Sequence, residues 1–178
     1  PAPPGWSTVW SDAFSGPAGS PPSGDNWFYD IGSNFGTGEI EHTTASTSNT
    51  SLDGNGYLTM TPISQSGSWT SSRIETTRDD FQAPPGGQLE VTAAIQQPNP
   101  SNGLGYWPAF WLLGAGLRAG GAWPTIGEID IMEGINGSST ASQTLHFCST
   151  APSTYTIGCG NAQLGHPLLP CPTNDCQT

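Results

Sequence analysis

Residues 127–134 read Gly-Glu-Ile-Asp-Ile-Met-Glu-Gly, GEIDIMEG in one-letter code, and the fold turns on how they are read. In an extended strand, side chains alternate between two faces with period two. Glu128 and Asp130 therefore share one face, and Ile129 and Ile131 share the other. Together with Ile126, these isoleucines read as buried anchors, which makes the stretch an inner strand of a layered β-structure. Glu133 lies an odd number of residues from Glu128, so a regular strand would turn it away from both acids. A β-bulge around Met132, one extra residue on this strand, restores the phase and brings Glu133 to the face of Glu128 and Asp130.

That phase sets a distance. Glu133 then behaves as position i+4, about 13 Å from Glu128 along the strand at roughly 3.3 Å per residue. With each side chain leaning inward by roughly 3–4 Å, the carboxyl groups approach to about 5–6 Å. Such a gap suits attack by one carboxylate on a sugar carbon while the other serves as acid and then base. An inverting pair stands further apart to admit a water. Asp130, between them, is placed to hydrogen-bond one glutamate and hold the proton affinities of the pair apart. Spacing alone leaves two other readings open: a solvated acidic edge, and three ligands of a structural cation.

Working outward, strand signals recur between turn clusters. The clearest is GQLEVTAAIQQ (87–97), where Leu89, Val91, Ala93 and Ile95 alternate with more polar neighbours. GYLTMTPI (56–63) puts Leu58 and Met60 on one face, and SSRIETT (71–77) and QTLHFCS (143–149) alternate similarly. YWPAFWLLG (106–114) is apolar on both faces and reads as a central strand. No window sustains a 3.6-residue period over three turns, so helix content should be small. Many short strands joined by turns predict an all-β sandwich.

At 178 residues the chain suits one domain with a sizeable core, spanning 1–178. Gly and Pro are abundant, but seven Trp, six Phe and four Tyr supply more aromatic surface than disordered chains carry. Fourteen acidic residues against three arginines give a net charge of −11, a surface that repels nucleic acids and anionic membranes. Neutral ligands are unaffected. The longest nearly apolar run, Tyr106 to Leu117, is too short to span a bilayer. The start, PAPPGW, carries no basic region followed by an apolar stretch, so any signal peptide is expected to have been removed. Four cysteines, Cys148, Cys159, Cys171 and Cys176, have no histidine at metal-ligand spacing and point to two disulfides rather than zinc. Of three pairings, Cys148–Cys159 and Cys171–Cys176 close the shortest loops. Asn49-Thr50-Ser51 and Asn136-Gly137-Ser138 match the N-glycosylation pattern. Together these features predict a secreted, extracellular protein.

GEIDIME, preceded by WPAFWLLG (107–114) and by Trp123-Pro124, resembles the active-site strand of glycoside hydrolase family 16. Within it, the extra residue before the last glutamate is similar to the laminarinase-type endo-β-1,3-glucanases. GTGEIEHTT (36–44), TSSRIETT (70–77), PPGGQLEVTAAI (84–95) and TLHF (144–147) extend the likeness through nearly the whole chain. The resemblance implies a jelly-roll β-sandwich of two antiparallel sheets with an open concave cleft. It implies Glu128 as nucleophile, Asp130 as its partner and Glu133 as acid/base. It further implies that members run on beyond Thr178 with strands completing both sheets, so residues 1–178 alone are expected to lack them.

Flat indoles match the C–H faces of glucose, so Trp107, Trp111 and Trp123 are candidate substrate-binding residues, with core packing as the alternative. Trp107 and Trp111 share a strand face. Arg73 is either an ion-pair partner or, as the resemblance implies, a donor to sugar hydroxyls. Asn34 and Glu39 are candidates for the far end of the cleft. His146 should lie beside the acidic strand, either as a structural histidine or in contact with the acid/base. Asp79-Asp80 reads as a solvated turn. No cofactor is required by this chemistry, and the resemblance leaves room for a structural calcium. The expected partner is a neutral β-glucan, with no nucleic acid, no membrane and a monomeric chain. A non-catalytic glucan-binding module and a glucan transglycosylase are the alternative functions.

Overall fold

The computed structural model describes residues 2–98, 103–138, 140–148, 161–163 and 175–177, and it is nearly all-β. Among these residues the one helical element is a 3₁₀ turn, Ala115–Ala119, ended by Gly120 in the left-handed region. No described helix is long and apolar enough to cross a membrane. The chain forms two compact units, Pro1–Phe81 and Gln82–Thr178.

The first unit contains β1 (Trp27–Tyr29), β2 (Gly32–Ser33), β3 (His42–Thr43), β4 (Thr50–Leu52), β5 (Leu58–Met60), β6 (Ile63–Gln65), β7 (Ser68–Ser71) and β8 (Ile74–Thr76). β1 pairs with β8, and β4 with β5, both antiparallel. A further sheet has the order β2-β3-β7-β6. Its β3–β7 pairing is parallel, the one departure from the antiparallel pattern expected. The β6–β7 hairpin turns on Ser66 and Gly67, at φ 53° and 84°, the two positive values that a type I′ turn needs to match strand twist. Between β4 and β5, Asp53 Oδ1 accepts the backbone N–H groups of Asn55 and Tyr57 at 2.7 and 3.0 Å, closing that loop.

The interior of this unit is largely hydroxyl and amide, which departs from the sizeable apolar core expected. Among the described residues, prolines aside, the buried apolar side chains are Leu52 and Met132, at 5% and 6% exposure. Asn49, at 3% exposure, donates to Thr61 O at 2.9 Å and Thr70 Oγ1 at 3.2 Å. Its Oδ1 accepts from Thr44 Oγ1 at 2.7 Å, and the fully buried Thr50 bonds Ser72. Most buried polar groups in folded proteins are paired, and these are. In the glycosylation tripeptide at 49–51, the Asn49 amide nitrogen is therefore committed to hydrogen bonds inside the unit. Asn136 is exposed, its Oδ1 accepting from Gly105 N at 2.9 Å.

The second unit contains β9 (Gln96–Pro98), β10 (Ala109–Leu113), β11 (Glu128–Gly134), β12 (Ala141–His146), β13 (Asn161–Gln163) and β14 (Asp175–Gln177). The order β10-β11-β12-β13 is antiparallel throughout, and β14 pairs with β9. Two expectations change. The stretch 87–97 contributes only Gln96 and Gln97 to a ladder, although Leu89, Val91 and Ile95 are less exposed than the residues between them. Alternation marks a face; a strand also needs a neighbour, which local pattern does not contain. β10, expected at the centre, has β11 on one side and no described partner on the other. Cys148 is disulfide-bonded, and no described cysteine is free. The pairing predicted through Cys159 and Cys171 lies outside the described residues.

The β10–β11 connection, 114–127, folds back tightly. Gly114 N–H donates to Gly127 O at 2.8 Å, and a Cβ at position 114 would lie 1.7 Å from Ile126 O. Only glycine fits there. Pro124 is fully buried after a cis Trp123-Pro124 peptide, and Thr125, Ile126 and Gly127 close successive turns onto Ala122 and Pro124.

Candidate active site

The register of three adjacent strands establishes where the acids point. On β10, Ala109, Trp111 and Leu113 stand opposite Glu133, Asp130 and Glu128; on β12, Ser142, Thr144 and His146 stand opposite the same three. Both partner sets run with period two, so all three acids share one face. From Asp130 to Glu133, β11 advances three residues while each neighbour advances two. The surplus residue falls within Ile131–Met132, where the phase of the sequence demanded a bulge. Met132, opposite Phe110, is buried on the other face and ties the bulge to the core.

Ile129 does not behave as the anchor expected. It stands between Leu112 and Leu145 in the ladder yet is 46% exposed. Strand alternation says which face a side chain takes, not whether that face is covered.

The acids are held by specific donors. Trp123 Nε1–H donates to Glu128 Oε2 at 3.0 Å, and Trp107 Nε1–H donates to Glu133 Oε1 at 2.9 Å. His146 Nε2 lies 2.9 Å from Asp130 Oδ2 and 3.7 Å from Glu128 Oε1, while its ring sits 5.4 Å from that of Trp123. The Nε2–H tautomer donates to Asp130, which is 5% exposed and needs the partner. Burial is the chief cause that pushes the Glu128 carboxyl above its ordinary value, with the negative charge of Asp130 adding to it. The nearby His146 and the Trp123 N–H act in the opposite sense.

Seven candidates thus lie in the second unit: Glu128, Asp130, Glu133, Trp107, Trp111, Trp123 and His146. Trp111 is the register partner of Asp130, and Trp107 lies two residues before Ala109, the partner of Glu133. Both therefore belong to the acidic face, as the sequence pattern required. His146 lies against Asp130 and Glu128 rather than Glu133, the residue that the resemblance makes the acid/base. The indole donors were not foreseen as ligands of the carboxylates. Nothing local links Trp123 to Glu128; the loop geometry set by Gly114 and Pro124 does.

Arg73, Asn34 and Glu39 belong to the first unit. Arg73 Nε is 2.9 Å from Asp30 Oδ2, and its guanidinium lies 4.3 Å from the centre of the Phe35 ring. Asn34 sits at φ 67°, with its Oδ1 accepting from Gly38 N at 2.8 Å, the geometry of a turn residue. Glu39 accepts from Thr37 Oγ1. Asp80 forms an exposed pair with Arg78 at 2.8 Å.

Asp12, in the first unit, accepts N–H groups from Phe14, Asn26 and Trp27 at 2.7–2.8 Å. Glu128, Asp130 and His146 are the described residues with ligand atoms mutually within 4.8 Å, yet His146 is turned into a hydrogen bond with Asp130.

Comparison with known proteins places this geometry in context. An endo-1,3-β-glucanase structure from Streptomyces sioyaensis superposes with a TM-score of 0.75 and 48% identity, covering 85% of this chain and 59% of that one. A laminarinase structure from Flavobacterium sp. UMI-01 gives 0.59 and 27%, covering 87% and 63%. A β-glucanase from Rhodothermus marinus is 33% identical over 135 residues, which is 73% of this chain and 44% of the relative. The chain therefore spans about half the length of such relatives. The fold is the jelly roll of these neighbours. The family profile described as "XgeA-like, catalytic GH16 domain" matches residues 40–166. With the whole acidic strand inside that match, the chain belongs to glycoside hydrolase family 16.

Proposed function

We propose that residues 1–178 carry the catalytic residues of a retaining endo-β-1,3-glucanase acting on laminarin-like glucans. The observation that carries this is the surplus residue in β11, which puts Glu133 on the face of Glu128 and Asp130. Two carboxylates on one face, about 5–5.5 Å apart, are what double displacement requires. Glu128 attacks the anomeric carbon while Glu133 protonates the departing glycosidic oxygen. Glu133 then takes a proton from the water that releases the sugar. Asp130, bonded to His146 and beside Glu128, orients the nucleophile.

The relatives support the substrate class, since they are described as an endo-1,3-β-glucanase, a laminarinase and a β-glucanase. The charge of the chain suits a neutral polysaccharide. Trp111 offers an indole on the acidic face for a sugar ring, and Arg73, Asn34 and Glu39 are further candidate contacts. We place the enzyme outside the cell, a reading supported by the disulfide at Cys148.

The test uses the natural polypeptide carrying residues 1–178. Glu128→Gln should fold and lose laminarin hydrolysis, and NMR of the wild-type reaction should show the β-anomer first. Hydrolysis near normal in the variant, or initial release of the α-anomer, would reject the assignment.

A further inference from the structure

Each glutamate of the pair has its own indole donor, and the two donors come from different segments. Trp107 precedes β10 and is fixed on both sides: Asn136 N–H donates to Tyr106 O at 2.8 Å, and Gly134 N–H to Pro108 O at 2.9 Å. Its backbone is thus bonded to the strand end that carries Glu133. Trp123 precedes the buried Pro124 inside turns closed at Ala122 and Pro124. An indole has one N–H and no acceptor, so it holds a carboxylate oxygen and cannot take its proton.

We propose that Trp107 and Trp123 are positioning residues, each N–H holding one glutamate oxygen so that the opposite oxygen of the same carboxylate faces the sugar. This rests on the catalytic roles proposed for Glu128 and Glu133. It assigns the reacting atoms. Trp123 holds Glu128 Oε2, and Oε1, 3.7 Å from His146 Nε2, is the oxygen that attacks; Trp107 holds Glu133 Oε1, leaving Oε2 to carry the mobile proton. In the first step the Glu133 Oε2 proton passes to the glycosidic oxygen, whose bond to the anomeric carbon breaks as the bond to Glu128 Oε1 forms. In the second, water adds to that carbon, gives a proton to Glu133 Oε2, and the ester to Glu128 breaks. Both glutamates are regenerated. Fixed donors of this kind need no reorganisation during the reaction. The direction in which Trp123 moves the Glu128 proton affinity, towards the ionised form, agrees with a nucleophile that must be charged. Among described residues, the titratable groups around Glu128 are Asp130 on its own strand and His146 on β12; the register partners of Glu133, Ala109 and Ser142, carry none.

Trp107→Phe and Trp123→Phe separate this role from sugar stacking, because Phe keeps a flat apolar ring and loses the N–H. Each should lower kcat on laminarin oligosaccharides about tenfold, the loss of one partly exposed hydrogen bond to a charged group, with KM within about twofold. The acid limb of the Trp123→Phe profile should move to higher pH. A raised KM with unchanged kcat, or no change in either, would overturn the inference. Should a variant fail to fold, indole ¹H–¹⁵N NMR of the wild-type protein decides. The Nε1–H signals of Trp107 and Trp123 should titrate with pH, and flat signals would refute the contacts. If Glu128→Gln retains hydrolysis, the catalytic reading itself fails. If that variant is inactive and the Phe variants are normal, only the positioning role falls.

Discussion

Gly114→Ala should damage stability and catalysis together. The new Cβ would stand 1.7 Å from Ile126 O, whereas ordinary contact begins near 3.4 Å, so the backbone must give by the difference, 1.7 Å. No flexible side-chain end is involved: the obstacle is the carbonyl of the segment that returns the chain to β11. Relief requires breaking the Gly114 N–H to Gly127 O bond, 2.8 Å, and displacing the loop that holds Trp123 against Glu128. One lost backbone hydrogen bond costs about 1 kcal/mol, and overpacking of this kind adds about 1–3 kcal/mol. The sum, about 2–4 kcal/mol, corresponds to a Tm lower by roughly 4–16 °C at about 2–4 °C per kcal/mol for a domain of this size. Because ångström-scale misplacement near reacting groups can cost about a hundredfold, kcat should fall by one to two orders of magnitude. Calorimetry and laminarin kinetics on the natural polypeptide, with Gly24→Ala as control, give the answer. Gly24 has nothing within 4 Å of a built Cβ. A Gly114→Ala melting point and rate equal to those of the control would refute the reasoning.

Three further outcomes are expected. Glu128→Gln should raise Tm at neutral pH. The folded-state pKa of Glu128 lies above its unfolded value, so its ionisation weakens the fold at high pH, and that penalty fades as pH falls towards 4.5. A pH-independent difference in Tm would contradict this. Asn49→Ala should destabilise by about 2 kcal/mol through unpaired Thr44 and Thr61 groups, read by urea denaturation, and peptide mapping should find Asn49 without glycan. Met132→Ala, emptying a buried site beneath the bulge, should cost about 2–4 kcal/mol; a loss below about 1 kcal/mol would show that Met132 does not anchor it.

The sequence made the site more legible than the fold. A period-two pattern with one carboxylate out of phase admits few solutions, and the surplus residue at Ile131–Met132 is the one found. The all-β class and the near absence of helix followed from the same periodicity. Strand partners did not. The alternation at 87–97 marked a face correctly but carried no information about a ladder neighbour, and Ile129 took the expected side without being covered. The burial of Asn49 was hidden in the sequence because the groups that hold it, the Thr61 carbonyl and the Thr70 hydroxyl, come from other segments. The indole contacts to Glu128 and Glu133 were hidden for a related reason. They depend on where loop 114–127 and the residues before β10 return, a long-range consequence of Gly114, Pro124 and the Tyr106–Asn136 bond.

The separation of the Glu128 and Glu133 carboxyl groups, measured in a high-resolution crystal structure of the natural polypeptide with a bound laminari-oligosaccharide, tests the central claim directly. The account expects both on one side of the sheet, about 5–5.5 Å apart across the anomeric carbon. Carboxyl groups on opposite faces, or more than about 6.5 Å apart with a water between them, would contradict it.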